Sequence, residues 1–180
     1  MPIPPNPLIA LAALLGAMVI VSDLYARRVP NMWLFGALLL GVGTLIIDWI
    51  QGTGGPPWPA LLGLLAGLTA LLPLHAFGWM GAGDVKFFAV LGFLLGATAL
   101  IPIWIIASLI SGVHALLILL SRNVLTQAVP GLGVTQNWFA NSAFGQRLTA
   151  VRQGRQGLPY AAWLGVGSLI VIFNPVLLHW

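Results

Sequence analysis

The chain is built of long apolar runs separated by short polar breaks, and those runs decide most of what it can become. From Pro7 to Val21 no side chain ionises, and comparable runs recur along the sequence. A helix crossing the hydrocarbon core of a bilayer takes about 20 mostly apolar residues. Six stretches meet or approach that length, at 7–24, 32–50, 58–78, 86–100, 102–121 and 158–178. They are rich in Leu and Ala and lack the period-two alternation of barrel strands. The expected fold is therefore all-α, a polytopic membrane protein of about six transmembrane helices, with residues 1–180 forming one domain. The fourth stretch is short, and its turn into the fifth is placed at Ile101-Pro102. Pro73 is expected to kink the third helix or to end its regular part.

Composition supports this reading. The 180 residues are 59% hydrophobic and 6% charged, whereas a soluble domain carries about 25% charged residues. So few charges cannot cover a water-facing surface. The absence of cysteine excludes disulfides, thiol catalysis and cysteine-ligated zinc. A net charge of +4 does not require nucleic acid as a partner, because the basic residues collect on one side, as the positive-inside rule demands. With the N-terminus outside, Arg27, Arg28, Lys86, Arg122, Arg147, Arg152 and Arg155 all fall on the cytoplasmic side. Asp48 then falls near the outer end of the second helix, and both termini lie outside. The polar stretch 122–156 becomes a cytoplasmic loop, with an interfacial piece around Trp138, Phe139 and Phe144. Trp33, Trp49, Trp58, Trp79, Trp104, Trp163 and Trp180 fall at or near helix ends, as an aromatic belt would place them. The leader Met1 to Pro7 has no positive charge and no clear small-x-small cleavage site follows, so the first helix does not read as a typical cleavable signal.

The chemistry rests on the carboxylates. Asp23, Asp48 and Asp84 are the only acidic residues. The topology puts Asp23 and Asp84 at one depth near the cytoplasmic interface and Asp48 at the opposite surface. Carboxylates near membrane depth are costly and are functional candidates by default. Two of them held close cannot both ionise freely, so they share a proton. One can then take a proton from water while the other, protonated, polarises a carbonyl. Gly81 and Gly83 bracket Asp84 with residues that admit unusual backbone angles and close approach of a substrate strand. Two structural readings stand beside this one. Asp84 could cap the fourth helix, and Asp23 could pair with Arg27, four residues on. His75, His114 and His179 lack ligand spacing, so no metal is expected, and no glycine-rich nucleotide motif implies a cofactor. His75 falls near the inner end of the third helix, where it could come close to the pair. Gly63-Leu64-Leu65-Ala66-Gly67 and Gly92-Phe93-Leu94-Leu95-Gly96 carry the small-xxx-small spacing of closely packed membrane helices.

Gly81-Ala82-Gly83-Asp84-Val85-Lys86 resembles the GxGDxK motif of the type IV prepilin peptidases, a family of membrane aspartic peptidases. Asp23 with Arg28-Val29-Pro30-Asn31 resembles that family's first aspartate and its trailing R-[IV]-P-N. Leu158-Pro159-Tyr160-Ala161 is similar to its late P-Y element, with alanine where glycine is common after the tyrosine. The likeness runs from about Val21 to Gly167. It implies that Asp23 and Asp84 are the catalytic pair. Gly81, Gly83, Lys86, Arg28, Pro30, Asn31, Pro159 and Tyr160 would be supporting residues. Lys86 would steady the site or anchor its helix, and Pro30 and Asn31 would shape the turn into the second helix. The implied substrate is a prepilin or pseudopilin with a transmembrane stem, cut after its short basic leader at the cytoplasmic face of the bacterial inner membrane. An association with pilus-assembly or secretion machinery goes with it. The larger members carry a cysteine-rich insert after the first helix and also N-methylate the product. This chain has no insert and resembles the small, single-domain form tied to tight-adherence, Flp-type pili.

Two other readings compete. A presenilin-like protease would cut deeper within helices, but Ser22 rather than tyrosine precedes Asp23. A non-catalytic subunit or proton-coupled transporter would use the aspartates as a relay; the inverted repeats that would favour it are not found.

Overall fold

The computed structural model describes residues 7–120 and 158–178, and the regular structure among them is helical throughout. The elements are α1 (Pro7–Ala26), α2 (Asn31–Ile50), α3 (Trp58–Ala76), α4 (Ala82–Leu95), α5 (Ala97–Leu120), α6 (Tyr160–Phe173) and a single turn, α7 (Pro175–Leu178). Proline sets several starts. Pro30, held extended at φ −66° and ψ 123°, precedes α2. Pro59 lies in the first turn of α3, where its missing N–H has no intrahelical partner to lose.

Four helices, α1, α2, α3 and α5, are long and apolar enough to cross a membrane. The other two expected spans are shorter than the sequence suggests. α4 and α6 have 14 residues each, or about 21 Å of helix at 1.5 Å per residue. The break expected at Ile101-Pro102 falls instead at Gly96, which takes φ +89° and donates its N–H to the Gly92 carbonyl at 2.9 Å. That left-handed turn needs glycine. Pro102 is absorbed within α5. The break after α6 comes at Asn174, because the residue before a proline is pushed out of the helical region; Asn174 sits at φ −118°, ψ 87°. Pro73 lies inside α3, which still runs on to Ala76.

α4 is the centre of the bundle. It contacts α1, α2, α3, α5 and α6, and Val85 and every residue from Phe87 to Leu94 are buried, with Lys86 exposed between them. Leu, Ile, Val and Phe on the outer faces of α1, α2, α3 and α5 are widely exposed, for example Leu14, Leu39, Leu62 and Leu109. In lipid that exposure is no penalty, and the same fact removes the usual hydrophobic drive for helices to associate. Association then depends on close packing, and the glycines supply it. A Cβ on Gly63 would run into the Gly92 carbonyl, and one on Gly92 into the Gly63 carbonyl. One turn along, a Cβ on Gly67 would lie 2.8 Å from the Ala89 Cα. Gly16 and Gly165 join α1 to α6 in the same way, and Gly167 meets the Ile103 carbonyl of α5. Gly63, Gly67 and Gly92 of the two expected small-xxx-small segments thus form one seam, while Gly96 serves the turn.

The helices alternate in direction, so the ends of α1, α3 and α5 meet the starts of α2, α4 and α6 at one end of the bundle. Arg27, Arg28 and Lys86 lie at that end and Asp48 at the other. Arg122, Arg147, Arg152, Arg155, Trp138, His179, Trp180 and the expected loop 122–156 lie outside the described residues. Most of the described tryptophans are exposed near helix ends, but Trp163 is half-buried and its ring meets His114 at a tilt of 57°, with centroids 5.3 Å apart.

Gly63→Ala or Gly92→Ala should therefore destabilise the bundle by about 1–3 kcal/mol through overpacking. Gly43→Ala, where a Cβ meets nothing within 4 Å, should be neutral or stabilising, as helix propensity favours Ala by about 1 kcal/mol. Thermal unfolding in detergent separates the two outcomes.

Candidate active site

Asp23 comes one turn before the end of α1 and is 6% exposed. No glycine ends this helix. Arg27 itself takes the left-handed conformation at φ +52°, which is uncommon for a side chain other than glycine. Its N–H donates to the Asp23 carbonyl at 3.0 Å. The Ser22 hydroxyl donates to the Arg28 carbonyl at 2.8 Å, drawing the chain back over the helix end. Asp84 is the third residue of α4, not a loop residue ahead of it. Its Oδ2 accepts from the Gly81 N–H at 3.3 Å, closing a capping arrangement.

The two glycines of the motif have separate duties. A Cβ on Gly81 would sit 3.3 Å from the Asp84 Oδ2, and a Cβ on Gly83 would sit 3.3 Å from the Val29 Cβ. Gly83 therefore lets α4 press against the Val29-Pro30-Asn31 turn. A second tie joins the same segments, where Lys86 Nζ donates to Asn31 Oδ1 at 3.4 Å.

The third wall is the start of α6. Pro159 is fully buried and precedes the helix. The first N–H groups of a helix have no intrahelical partner. Here the Ala162 N–H donates to Asp23 Oδ2 at 2.9 Å, and the neighbouring Ala161 amide acts on the Asp84 carboxyl. The positive end of the α6 dipole thus faces both carboxyls. The two carboxyls also act on each other as like charges, and Arg27 acts on Asp23 as an opposite one. The Tyr160 hydroxyl lies 3.0 Å from the Ser108 hydroxyl, tying α6 to α5.

A cavity of about 830 Å³ opens at this end, lined by Asp23, Asp84, Gly81, Gly83, Lys86, Arg28, Pro30 and Asn31 among others. Eight of the ten residues expected from sequence thus meet around one space. Pro159 and Tyr160 stand outside it and act through α6. Of the structural readings, Asp84 sits at the third position of α4 and bonds back to the Gly81 N–H rather than to the helix's first amides, and Arg27 acts on Asp23 through its charge. Asp48 is elsewhere, with its carbonyl accepting from Thr53 and Gly54 at 3.0 and 3.1 Å. His75 Nδ1 is 2.9 Å from the Met80 carbonyl and closes the α3–α4 loop. No group of three metal-binding side chains exists among the described residues. Ala161 and Ala162 escaped sequence reasoning, since their contribution is backbone. The signal was there in Pro159, which marks a helix start whose N–H groups need acceptors.

A helical membrane bundle with two carboxyls gathered at one end, under the N-terminus of a third helix, defines the class of molecule. The chain belongs to the type IV leader peptidase family, whose sequence profile matches residues 9–116. The match includes both aspartates and stops before α6. No curated protein and no solved structure matches the chain.

Like charges at close range oppose each other most when both are ionised. Asp84→Asn keeps the shape and the acceptor for Gly81 while removing one charge. It should unfold at or above the wild-type temperature at pH 8, by on the order of 1 kcal/mol. The gain should fade as pH falls and the wild-type pair takes up a proton. Melting curves across pH check this.

Proposed function

We propose that the protein is an aspartic endopeptidase that removes the short basic leader of a type IV, Flp-like prepilin at the cytoplasmic face of the bacterial inner membrane. Family membership makes it a peptidase of leader sequences. The observation that carries the finer reading is the convergence of Asp23 and Asp84 on one cavity beneath the α6 amides. Asp48, set apart from them, is left out of the chemistry.

In this reading the pair holds a single proton. The ionised carboxylate takes a proton from water as the water oxygen attacks the scissile carbonyl. The protonated partner donates to the carbonyl oxygen. As the tetrahedral intermediate collapses, the ionised carboxylate takes a proton from one of its hydroxyls, the C–N bond breaks and the leaving amine takes the proton held by the other carboxyl, so the pair again holds one proton. The helix amides hold negative charge on the carboxyls without neutralising it, and they are in place before reaction. Gly81 leaves room for the Asp84 carboxyl, and Gly83 lets α4 hold the turn before α2 against the site. The N-terminus and C-terminus lie outside, so the basic end carrying Arg27, Arg28 and Lys86 faces the cytoplasm. The substrate's apolar stem stays among the helices, and the protein works beside pilus-assembly machinery.

Asp23→Asn and Asp84→Asn should each lower turnover of a co-expressed prepilin by about 10²–10⁴-fold, the usual loss of a general acid or base. Asp48→Asn should cleave like wild type. Leader removal is read by mass shift. Near-normal cleavage by either site variant would sink the mechanism. The pH dependence of kcat/KM should be bell-shaped, because one carboxyl must be charged and the other neutral.

A further inference from the structure

A groove on the lipid-facing side of the bundle leads towards Asp84. Part-way along the helices, a recess of about 350 Å³ lies between α3 and α5 with α4 as its floor. Ala70, Leu74, Phe88, Ile101 and Trp104 are among its walls, and no described lining residue is charged. Ile101 is 66% exposed and Trp104 42%, so the recess opens to lipid. A second space of about 480 Å³ lies nearer the carboxyls, with Gly78, Asp84 and Ser111 among its lining residues. The two spaces share the same three walls. Leu74 is followed four residues on by Gly78, just past the end of α3, and Phe88 is preceded by Asp84 at the same interval on α4. Trp104, Ser108 and Ser111 fall on one face of α5, at the spacing of neighbouring helical turns. The groove therefore runs on towards Asp84, about 10 Å from Trp104 to Ser111 along α5.

We propose that this groove between α3 and α5 docks the apolar stem of the substrate and brings the stem's cytoplasmic end to Asp84. The proposal rests on the peptidase reading above and says where the stem lies. The uncharged recess matches an apolar helix, and its continuation ends at one of the paired carboxyls. Helices in lipid associate through close packing rather than through apolar burial. Ala70, exposed on the α3 wall, is the small residue that lets a second backbone come near. Another apolar groove runs between α1 and α2, with Met18, Met32 and Gly36 among its walls. There the Arg27–Pro30 turn joins the two helices at the carboxyl end and stands in the way of a docked helix. No such turn joins α3 to α5, since α3 leads into α4. Water reaches the pair separately, through the polar cavity that Asp23 and Asp84 share.

The test uses the full-length chain in membranes with a co-expressed prepilin. The chain has no cysteine, so a single introduced one reports alone. In an Asp23→Asn background, which keeps the leader on, Leu74→Cys and Ile101→Cys should form disulfides with cysteines placed along the prepilin stem. The linked stem positions should recur every three to four residues, as one face of a helix does. Leu39→Cys, on the exposed outer face of α2, should not link. With both aspartates intact, Ala70→Phe should raise KM for the prepilin about fivefold and leave kcat unchanged, the mark of lost binding rather than lost chemistry. Should Ala70→Phe fail to insert, Ile101→Trp narrows the same groove from α5 and should do the same. Linking at Leu39→Cys as strong as in the groove overturns the proposal, and so does an unchanged KM in the narrowed groove. Linking of the enzyme to a second copy of itself in place of the stem also overturns it. Failure of wild type to cleave the prepilin would instead overturn the peptidase reading on which the docking site stands.

Discussion

A carboxylate survives inside an apolar bundle only where donors face it, and here the donors are the first amides of a helix. The bond from the Ala162 N–H to Asp23 Oδ2 joins α6 to α1. The neighbouring Ala161 amide also favours the charged form of Asp84 on α4, more weakly. Three helices thus converge on a point that their apolar faces alone would leave undefined. Where that convergence happens is set elsewhere, by glycine seams between α3 and α4, α1 and α6, and α5 and α6. In lipid such close approach has to replace hydrophobic burial as the source of cohesion.

The division of labour explains why α4 and α6 are the shortest of the six main helices. Both begin at the carboxyl cavity, and both have 14 residues. α4 is sheathed by five neighbours, so it need not meet the lipid over a full span. Its neighbours α1, α2, α3 and α5 provide the length to cross.

Much of this was legible in the residues, because long apolar runs and two isolated aspartates admit few arrangements. The starts of α1, α2 and α3 were placed to within a residue. The end of α4 was not. A proline early in a helix and a glycine at its close compete as breakers, and the sequence reading chose Pro102 over Gly96. Pro102, the sixth residue of α5, costs that helix one N–H to carbonyl bond and is absorbed, while φ +89° at Gly96 favours glycine. The aspartates and their glycines were named from side-chain chemistry. Ala161 and Ala162 were invisible for the opposite reason: they act through backbone amides that every residue but proline possesses.

The position of α6 in the chain has a consequence in time. Asp23 and Asp84 are both made well before Tyr160. A nascent chain that has reached the end of α5 carries both carboxyls and neither of the amides that hold them. On the function proposed above, the site is therefore complete only once α6 has been made. A chain stalled before that point carries both carboxyls without the α6 amide that bonds Asp23.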